Sequence, residues 1–420
     1  MNLRPLPRAL TLAAAIACST APALAARDEA IFNAASAVQP NVVDTLKEMV
    51  LIESGTRDPQ GIARMADLLQ RRLVALGAKV DRRPTTGGNG SDVLVGQWTG
   101  NGRRKILLIA HMDTVYAPGI LQTQPLKQDG NRLYGPGIAD DKGGIAVILH
   151  SIEILQKQGW KDFATLTVLF NGDEESGSTG SSRSIVDMAS QHDVVLSFEP
   201  TAANIPGAGE GVLLSAAGTA TAVIEVKGKA SHAGAAPELG RNALLEASFQ
   251  MLQTEKLAKD IPGAQLNWTQ FTTGTIPNQI PEVARASADV RLTRKDAADK
   301  LRTALQQKVA SGRHVPDTQS TVTLTVGRPP YERNDRTDAL GRIAQEIYAE
   351  MGSQPLKLYP VTGGATDASF AQQPGNAAVL ESMGLPGAGY HARDEYIELD
   401  SIPRRVYLAC RMLMRLAQGQ

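Results

Sequence analysis

From Ala30 to Leu76, apolar positions recur at intervals of three and four residues, which predicts helix across the stretch. The pattern then changes. Lys105 to Ala110 is a short, continuous apolar run behind a basic start, as expected of a strand buried on both faces of a parallel sheet. Gly143 to Gln158 is amphipathic at helical spacing, and Thr165–Asn171 and Val194–Phe198 repeat the buried-strand pattern. Strands that alternate with helices predict a layered α/β unit.

The middle of the chain follows another order. Thr219–Lys227 alternates as a strand, Arg241–Ala258 is helical, and Gln265–Thr273 and Val283–Leu292 are strands. Ala297–Ala310 is helical and Thr321–Val326 is again a strand. This β-α-β-β-α-β order is the ferredoxin-like arrangement, and its length of about 110 residues suits one inserted domain. From Arg328 onward, helix, loop and buried strand return. The expected organisation is a catalytic domain in two sequence halves, 26–215 and 328–420, with an α+β domain at 216–327 inserted between them.

The N-terminus changes the count of what is folded. Arg4 and Arg8 precede an apolar, Ala-rich run from Ala9 to Ala17, and Ala23-Leu24-Ala25 has the small residues of a cleavage site. Residues 1–25 are therefore expected to be a signal peptide, and the run is too short to span a membrane. Cys18, preceded by small residues, is a weak alternative site for lipidation. Cleavage after Ala25 leaves 41 basic against 43 acidic residues and a single cysteine, Cys410. One cysteine makes no internal disulfide, and its neighbours Val406 to Ala409 predict a buried helical position.

Composition narrows the class. Of 420 residues, 42% are hydrophobic and 20% charged, as in a water-soluble globular protein, and the full chain balances at 43 basic and 43 acidic residues. Without a basic excess, a nucleic-acid or membrane-surface partner is not expected.

The chemistry sits where elements begin and end. His111-Met112-Asp113 follows one predicted strand, and Asp140-Asp141-Lys142-Gly143-Gly144 opens a helix. Asp173-Glu174-Glu175 and Glu199-Pro200 each follow a strand, and His391 lies in the glycine-rich stretch Pro386–His391. Ligands bind beyond the carboxyl ends of strands in open α/β sheets, so these clusters predict one site. Imidazole with carboxylate and no thiolate suits zinc and its neighbours. Five residues can hold two ions about 3.5–4 Å apart if one carboxylate bridges. Asp113 is placed to accept the second imidazole N–H of His111 and so fix its tautomer. Adjacent strand-end residues point oppositely, so of Glu174 and Glu175 one can bind metal while the other serves as general base. His150 is expected to be packed on its helix, and His192 and His314 to lie on the surface.

The chain resembles the co-catalytic zinc metallopeptidases, the family that includes aminoacylases, succinyl-diaminopimelate desuccinylases and glutamate carboxypeptidases. The resemblance rests on Ala-His-Met-Asp-Thr-Val at 110–115, Gly-Pro-Gly-Ile-Ala-Asp-Asp-Lys-Gly-Gly at 135–144 and Asp-Glu-Glu-Ser-Gly-Ser at 173–178. Ser-Phe-Glu-Pro at 197–200, Gly-Lys-Ala-Ser-His-Ala-Gly-Ala-Ala-Pro at 228–237 and Gly-Tyr-His at 389–391 extend it. Within the family the chain is most similar to exported bacterial glutamate carboxypeptidases of the carboxypeptidase G type, which share Pro136 where many members carry arginine.

The resemblance implies a zinc-exopeptidase-type α/β/α catalytic domain with a ferredoxin-like dimerisation, or lid, domain. It implies two zinc ions per subunit, one on His111, Asp140 and Glu199 and the other on Asp140, Glu175 and His391. Asp140 would be the bridge, with a cis bond to Asp141, and Glu174 the general base. His232 would reach the partner subunit's site and stabilise the oxyanion. Asn278 and Arg291 would clamp a substrate carboxylate, beside a substrate loop from Gly363 to Asp367, and Arg328 would add a second positive charge. The function expected is hydrolysis of the amide to a C-terminal glutamate, in folates and N-acyl or aroyl glutamates, by an exported homodimer, periplasmic or secreted. Its substrate would be a small molecule or peptide with a free carboxylate. An aminoacylase or dipeptidase is the alternative enzyme. A periplasmic metal- or peptide-binding protein without catalysis is the alternative of another class, which would not require Glu174.

Overall fold

The computed structural model describes residues 26–352 and 354–419; the expected signal peptide, with Cys18, lies outside them. Two sheets organise the chain. The first has six strands in the order Lys79–Arg83, Val93–Thr99, Thr165–Asn171, Lys105–His111, Val194–Ser197 and Ala378–Leu380. The last four of these are mutually parallel, while Lys79–Arg83 and Val93–Thr99 pair antiparallel at one edge.

The strand Lys105–His111 shows why its sequence reads as one apolar run. Ile106, Leu108 and Ala110 enter a core with the helices Gln39–Val50, Lys142–Lys157 and Ile402–Ala417. Leu107 and Ile109 enter a core on the opposite face, with Ile185, Met188 and Phe370. Burial on both faces removes the period-two alternation seen in half-exposed strands. Cys410 is fully buried in the first core, as its neighbours predict.

The second sheet has four antiparallel strands in the order Ala264–Thr273, Val283–Leu292, Gly218–Lys227 and Gln319–Arg328. The helices Ala243–Thr254 and Ala297–Ser311 cover one face. This is the ferredoxin-like order. The strand Gly218–Lys227 alternates between buried and more exposed positions, as a strand covered on one face must. The chain enters and leaves the unit side by side: Ala216 and Tyr331 exchange backbone hydrogen bonds of 2.9 and 3.1 Å.

Several expectations need correction. The N-terminal stretch is not one helix but three, Glu29–Ala37, Gln39–Val50 and Pro59–Ala75, with residues 51–58 forming a loop before the third. His192 is buried, not on the surface: its ring nitrogens meet Met188 O at 2.6 Å and Thr167 Oγ1 at 2.8 Å. His314 is exposed and stacks on Phe249, and His150 is packed against Thr45 and Glu153. No helix among the described residues is long and apolar enough to cross a membrane.

Candidate metal centre

The parallel strands end at one edge of the first sheet and deliver the chemistry there. His111 is the last residue of its strand, and Glu199 lies two residues beyond Val194–Ser197. The helix Lys142–Lys157 starts directly after Asp140 and Asp141. Its start lies against the end of the Glu199 strand because position 144 is glycine: a Cβ there would collide with Phe198 O and Asp141 Oδ1. The Asp140–Asp141 peptide bond is cis. His391 occupies a loop in a left-handed conformation, φ 61°, rare for a non-glycine residue and commonest at functional sites.

These residues form two triples of possible metal donors, His111 with Asp140 and Glu199, and Asp140 with Glu175 and His391. Asp140 belongs to both. Its Oδ1 lies 2.9 Å from His111 Nε2, and its Oδ2 lies 3.4 Å from His391 Nε2. Glu199 Oε1 is 3.6 Å from His111 Nε2, and Glu175 Oε2 is 3.2 Å from His391 Nε2. One carboxylate thus presents an oxygen to each imidazole.

The electrostatics fit a cation site. Burial, with the charge of Asp140 nearby, pushes the Glu199 carboxyl well above the usual range. Burial acts in the same direction on Asp140, but hydrogen bonds to His111 and His391 outweigh it and hold the carboxyl low. Hydrogen bonds to Asp140 and Glu175 raise the His391 imidazole to about 10. The donors are imidazoles and carboxylates whose opposed charges share protons. Metal binding replaces such protons, and this nitrogen and oxygen set suits divalent ions of the zinc type.

Asp113 organises the centre from behind. It is fully buried, with Oδ1 3.3 Å from His111 Nδ1. It also accepts the backbone N–H groups of Glu174 and Glu175, each at 3.1 Å, and the Thr56 hydroxyl at 2.6 Å. The separation of Glu174 from Glu175 therefore has a different cause from the one expected. They do not alternate on a strand; they lie in a 3₁₀ turn, Glu174–Ser176, gathered by the Asp113 carboxylate. Glu175 faces His391. Glu174 is directed to Arg328, whose Nη1 contacts Glu174 Oε1.

A cleft of about 1030 Å³ opens over the centre. Asp140, Glu174, Glu175, Glu199 and His391 line it, and Arg291 and Arg328 lie on its wall. Ala203, Ile205, Leu213, Tyr359 and Val361 give it an apolar side. The other expected substrate residues are placed differently. Gly363 is outside the lining, although its neighbours Thr362 and Gly364 are within it, and Gly363 O accepts from Arg291 Nη1 at 3.4 Å. His232 and Asn278 are exposed on a small ribbon of the inserted domain, joined by Ala233 N donating to Asn278 O at 2.8 Å, and neither lines the cleft. Arg328 is buried and held by Glu174, Ser178 and Asp367.

Sequence reasoning missed Glu395. This buried carboxylate accepts the backbone N–H groups of Gly137, Ala139 and Asp140 and the Tyr116 hydroxyl. Its only sequence signal is its position four residues after His391.

The chain and its fold are similar to known peptidases. The chain is 43% identical to Carboxypeptidase G2 of Pseudomonas sp. (strain RS-16) over 98% of both chains. Its fold is similar to a tripeptidase of Staphylococcus aureus, TM-score 0.74 at 21% identity, covering 90% of this chain and 99% of that one. It is also similar to a dinuclear metal-binding peptidase of Bacillus subtilis, TM-score 0.67 at 17% identity, covering 91% and 99%. A sequence profile of one peptidase family matches residues 107–415. On this profile and on its full-length likeness to Carboxypeptidase G2, the chain belongs to peptidase family M20/M25/M40.

Proposed function

We propose that the chain is a metallo-carboxypeptidase that hydrolyses the amide bond to a C-terminal glutamate, in folates and in N-acyl or aroyl glutamates. The observation that carries this reading is the position of Asp140, with one oxygen facing His111 and the other facing His391. The 43% identity to Carboxypeptidase G2 supports it. We assign the metal as zinc, one ion on His111, Asp140 and Glu199 and one on Asp140, Glu175 and His391. When bound, such a pair activates water and polarises an amide carbonyl.

The chain's own residues do the rest. Glu174 accepts the proton of the attacking water and returns it to the leaving amine. Asp113 holds the His111 ring and sets the Glu174–Glu175 turn, so ligand and base keep a fixed relation. Arg291 offers a planar, two-point donor to the substrate carboxylate, with the loop containing Gly363 beside it. The apolar wall at Leu213, Tyr359 and Val361 receives the acyl or aroyl group. His232, exposed on the inserted domain, serves the cleft of the partner in a homodimer as oxyanion donor. The site belongs to an exported protein, in the periplasm or secreted.

The test is substrate choice. The mature protein, loaded with zinc, is incubated separately with folate, an N-acetyl amino acid and a plain dipeptide. Glutamate released from folate, with the other two untouched, supports the reading. Cleavage of the N-acetyl amino acid or the dipeptide instead assigns an aminoacylase or a dipeptidase. No turnover of any amide, with metal bound, excludes the enzyme.

A further inference from the structure

Arg328 joins the two domains at the base. It is the last residue of the strand Gln319–Arg328, where the chain leaves the inserted domain. Its backbone N–H donates to Thr219 Oγ1 at 3.2 Å, on the strand by which the chain enters. Its side chain then turns into the catalytic domain, where it is 3% exposed. Nη1 contacts Glu174 Oε1, and Nη2 donates to Glu174 O at 2.9 Å and to Ser178 Oγ at 3.0 Å. Asp367 Oδ1 lies 3.5 Å from Nη2 and is itself fixed: Asp367 accepts from Ser178 Oγ at 2.5 Å and from Asn171 Nδ2 at 2.7 Å. The Phe370 ring lies under the guanidinium, 5.7 Å from its centre.

Both terminal nitrogens of the guanidinium thus have protein acceptors, and two of these acceptors belong to one residue, Glu174. A carboxylate on a short turn can rotate about its side-chain bonds. A planar donor that binds its side chain and its main chain together removes that freedom, and a lysine ammonium, being a point charge, does not reproduce the two-point contact.

We propose that Arg328 is a positioning residue for Glu174, and not a clamp for the substrate carboxylate. Because Arg328 is carried by the exit strand of the inserted domain and tied to the entry strand through Thr219, it makes the aim of the base depend on how that domain is seated. The inference rests on Glu174 being the general base, as proposed above.

The two roles separate in kinetics. A clamp contributes to substrate binding, so its loss raises KM; a positioning residue contributes only where the base acts, so its loss lowers kcat. Removing the whole cation would leave the buried carboxylates Glu174 and Asp367 without their partner, so the charge-conserving Arg328→Lys is the first variant. In the full-length, zinc-loaded protein, Arg328→Lys is expected to lose about 10- to 100-fold in kcat, as misplaced catalytic groups do. KM and the inhibition constant of the product glutamate are expected to stay within about two-fold, with metal content unchanged. Thr219→Val, which removes the side-chain acceptor of the Arg328 backbone N–H, is expected to lower kcat by a smaller factor, and in the double variant it should add nothing to Arg328→Lys.

A rise of about ten-fold or more in KM and in the glutamate inhibition constant, with kcat unchanged, makes Arg328 a clamp and overturns the proposal. So does an Arg328→Lys enzyme that matches wild type in both parameters. If Arg328→Lys does not fold, Ser178→Ala decides. It removes one acceptor of Nη2 and keeps every charge; a fall in kcat at constant KM supports the proposal, and unchanged kcat overturns it. Wild-type protein with no amide hydrolysis would instead overturn the parent reading, so the two failures are distinguishable.

Discussion

Glu395 accepts the backbone N–H of Asp140 at 3.1 Å, and through this contact a residue from the C-terminal segment holds the residue shared by both donor triples. The same carboxylate takes Ala139 N at 2.9 Å and Gly137 N at 2.8 Å, so one side chain gathers the loop that delivers Asp140. Tyr116 links this support to the His391 loop, its hydroxyl lying 2.8 Å from Glu395 Oε2 and 2.7 Å from Ala392 O. Groups behind metal ligands set their geometry, and their loss typically costs about 10- to 100-fold in metal affinity. Glu395→Ala is expected to weaken zinc binding by that factor in a chelator competition, with Tyr116→Phe falling between it and wild type. Unchanged affinity in Glu395→Ala would show that the loop holds Asp140 without help.

Asp113 carries a separate prediction because it serves His111 and the Glu174–Glu175 turn at once. Asp113→Asn keeps the volume but replaces one oxygen with an N–H₂, so that one of the turn's two backbone N–H groups loses its acceptor. Both metal affinity and kcat are expected to fall, each by about ten-fold or more. Metal titration and steady-state kinetics on the same preparation check this. A variant that loses only metal affinity would confine Asp113 to orienting His111.

Two histidines away from the centre predict how the fold responds to acid. Burial lowers the pKa of His192 below its ordinary value of 6.5, and burial outweighs the neighbouring Glu153 to lower that of His150. Below that value the unfolded chain binds protons that the folded chain refuses, so stability is full above pH 6.5 and falls as pH drops through it. The slope is at most about 1.4 kcal/mol per pH unit for each histidine. Denaturant unfolding at pH 7.5 and 5.5 is expected to show a smaller difference in His192→Gln than in wild type. Equal differences would mean that the His192 site tolerates the charge.

Much of the architecture is legible in the sequence, for identifiable reasons. Lys105–Ala110 reads as a strand because both its faces are buried, leaving an unbroken apolar run. The edge strand Lys79–Arg83 does not, because it is polar and nowhere fully buried. The five donors stand in motifs at element ends, where the topology of an α/β sheet brings distant segments together. What the sequence does not show is tertiary. Nothing near Glu395 signals that it receives the Gly137–Asp140 backbone. His192 sits among polar residues, and only the approach of Thr167 and the Met188 carbonyl makes its site an interior one. Arg328 reads as a free cation until Glu174, Ser178 and Asp367 are seen to surround it.

Glu174 is the residue that separates a hydrolase from a protein that merely holds metal. The decisive measurement is zinc content and glutamate release from folate, made together on Glu174→Ala and on wild type. Two zinc ions per subunit are expected in both proteins, with a loss of about 10²-fold or more in kcat for the variant, as befits a general base. A variant that loses zinc would mean that Glu174 is a ligand and that its role is exchanged with that of Glu175. A variant that keeps both zinc and turnover would contradict the mechanism.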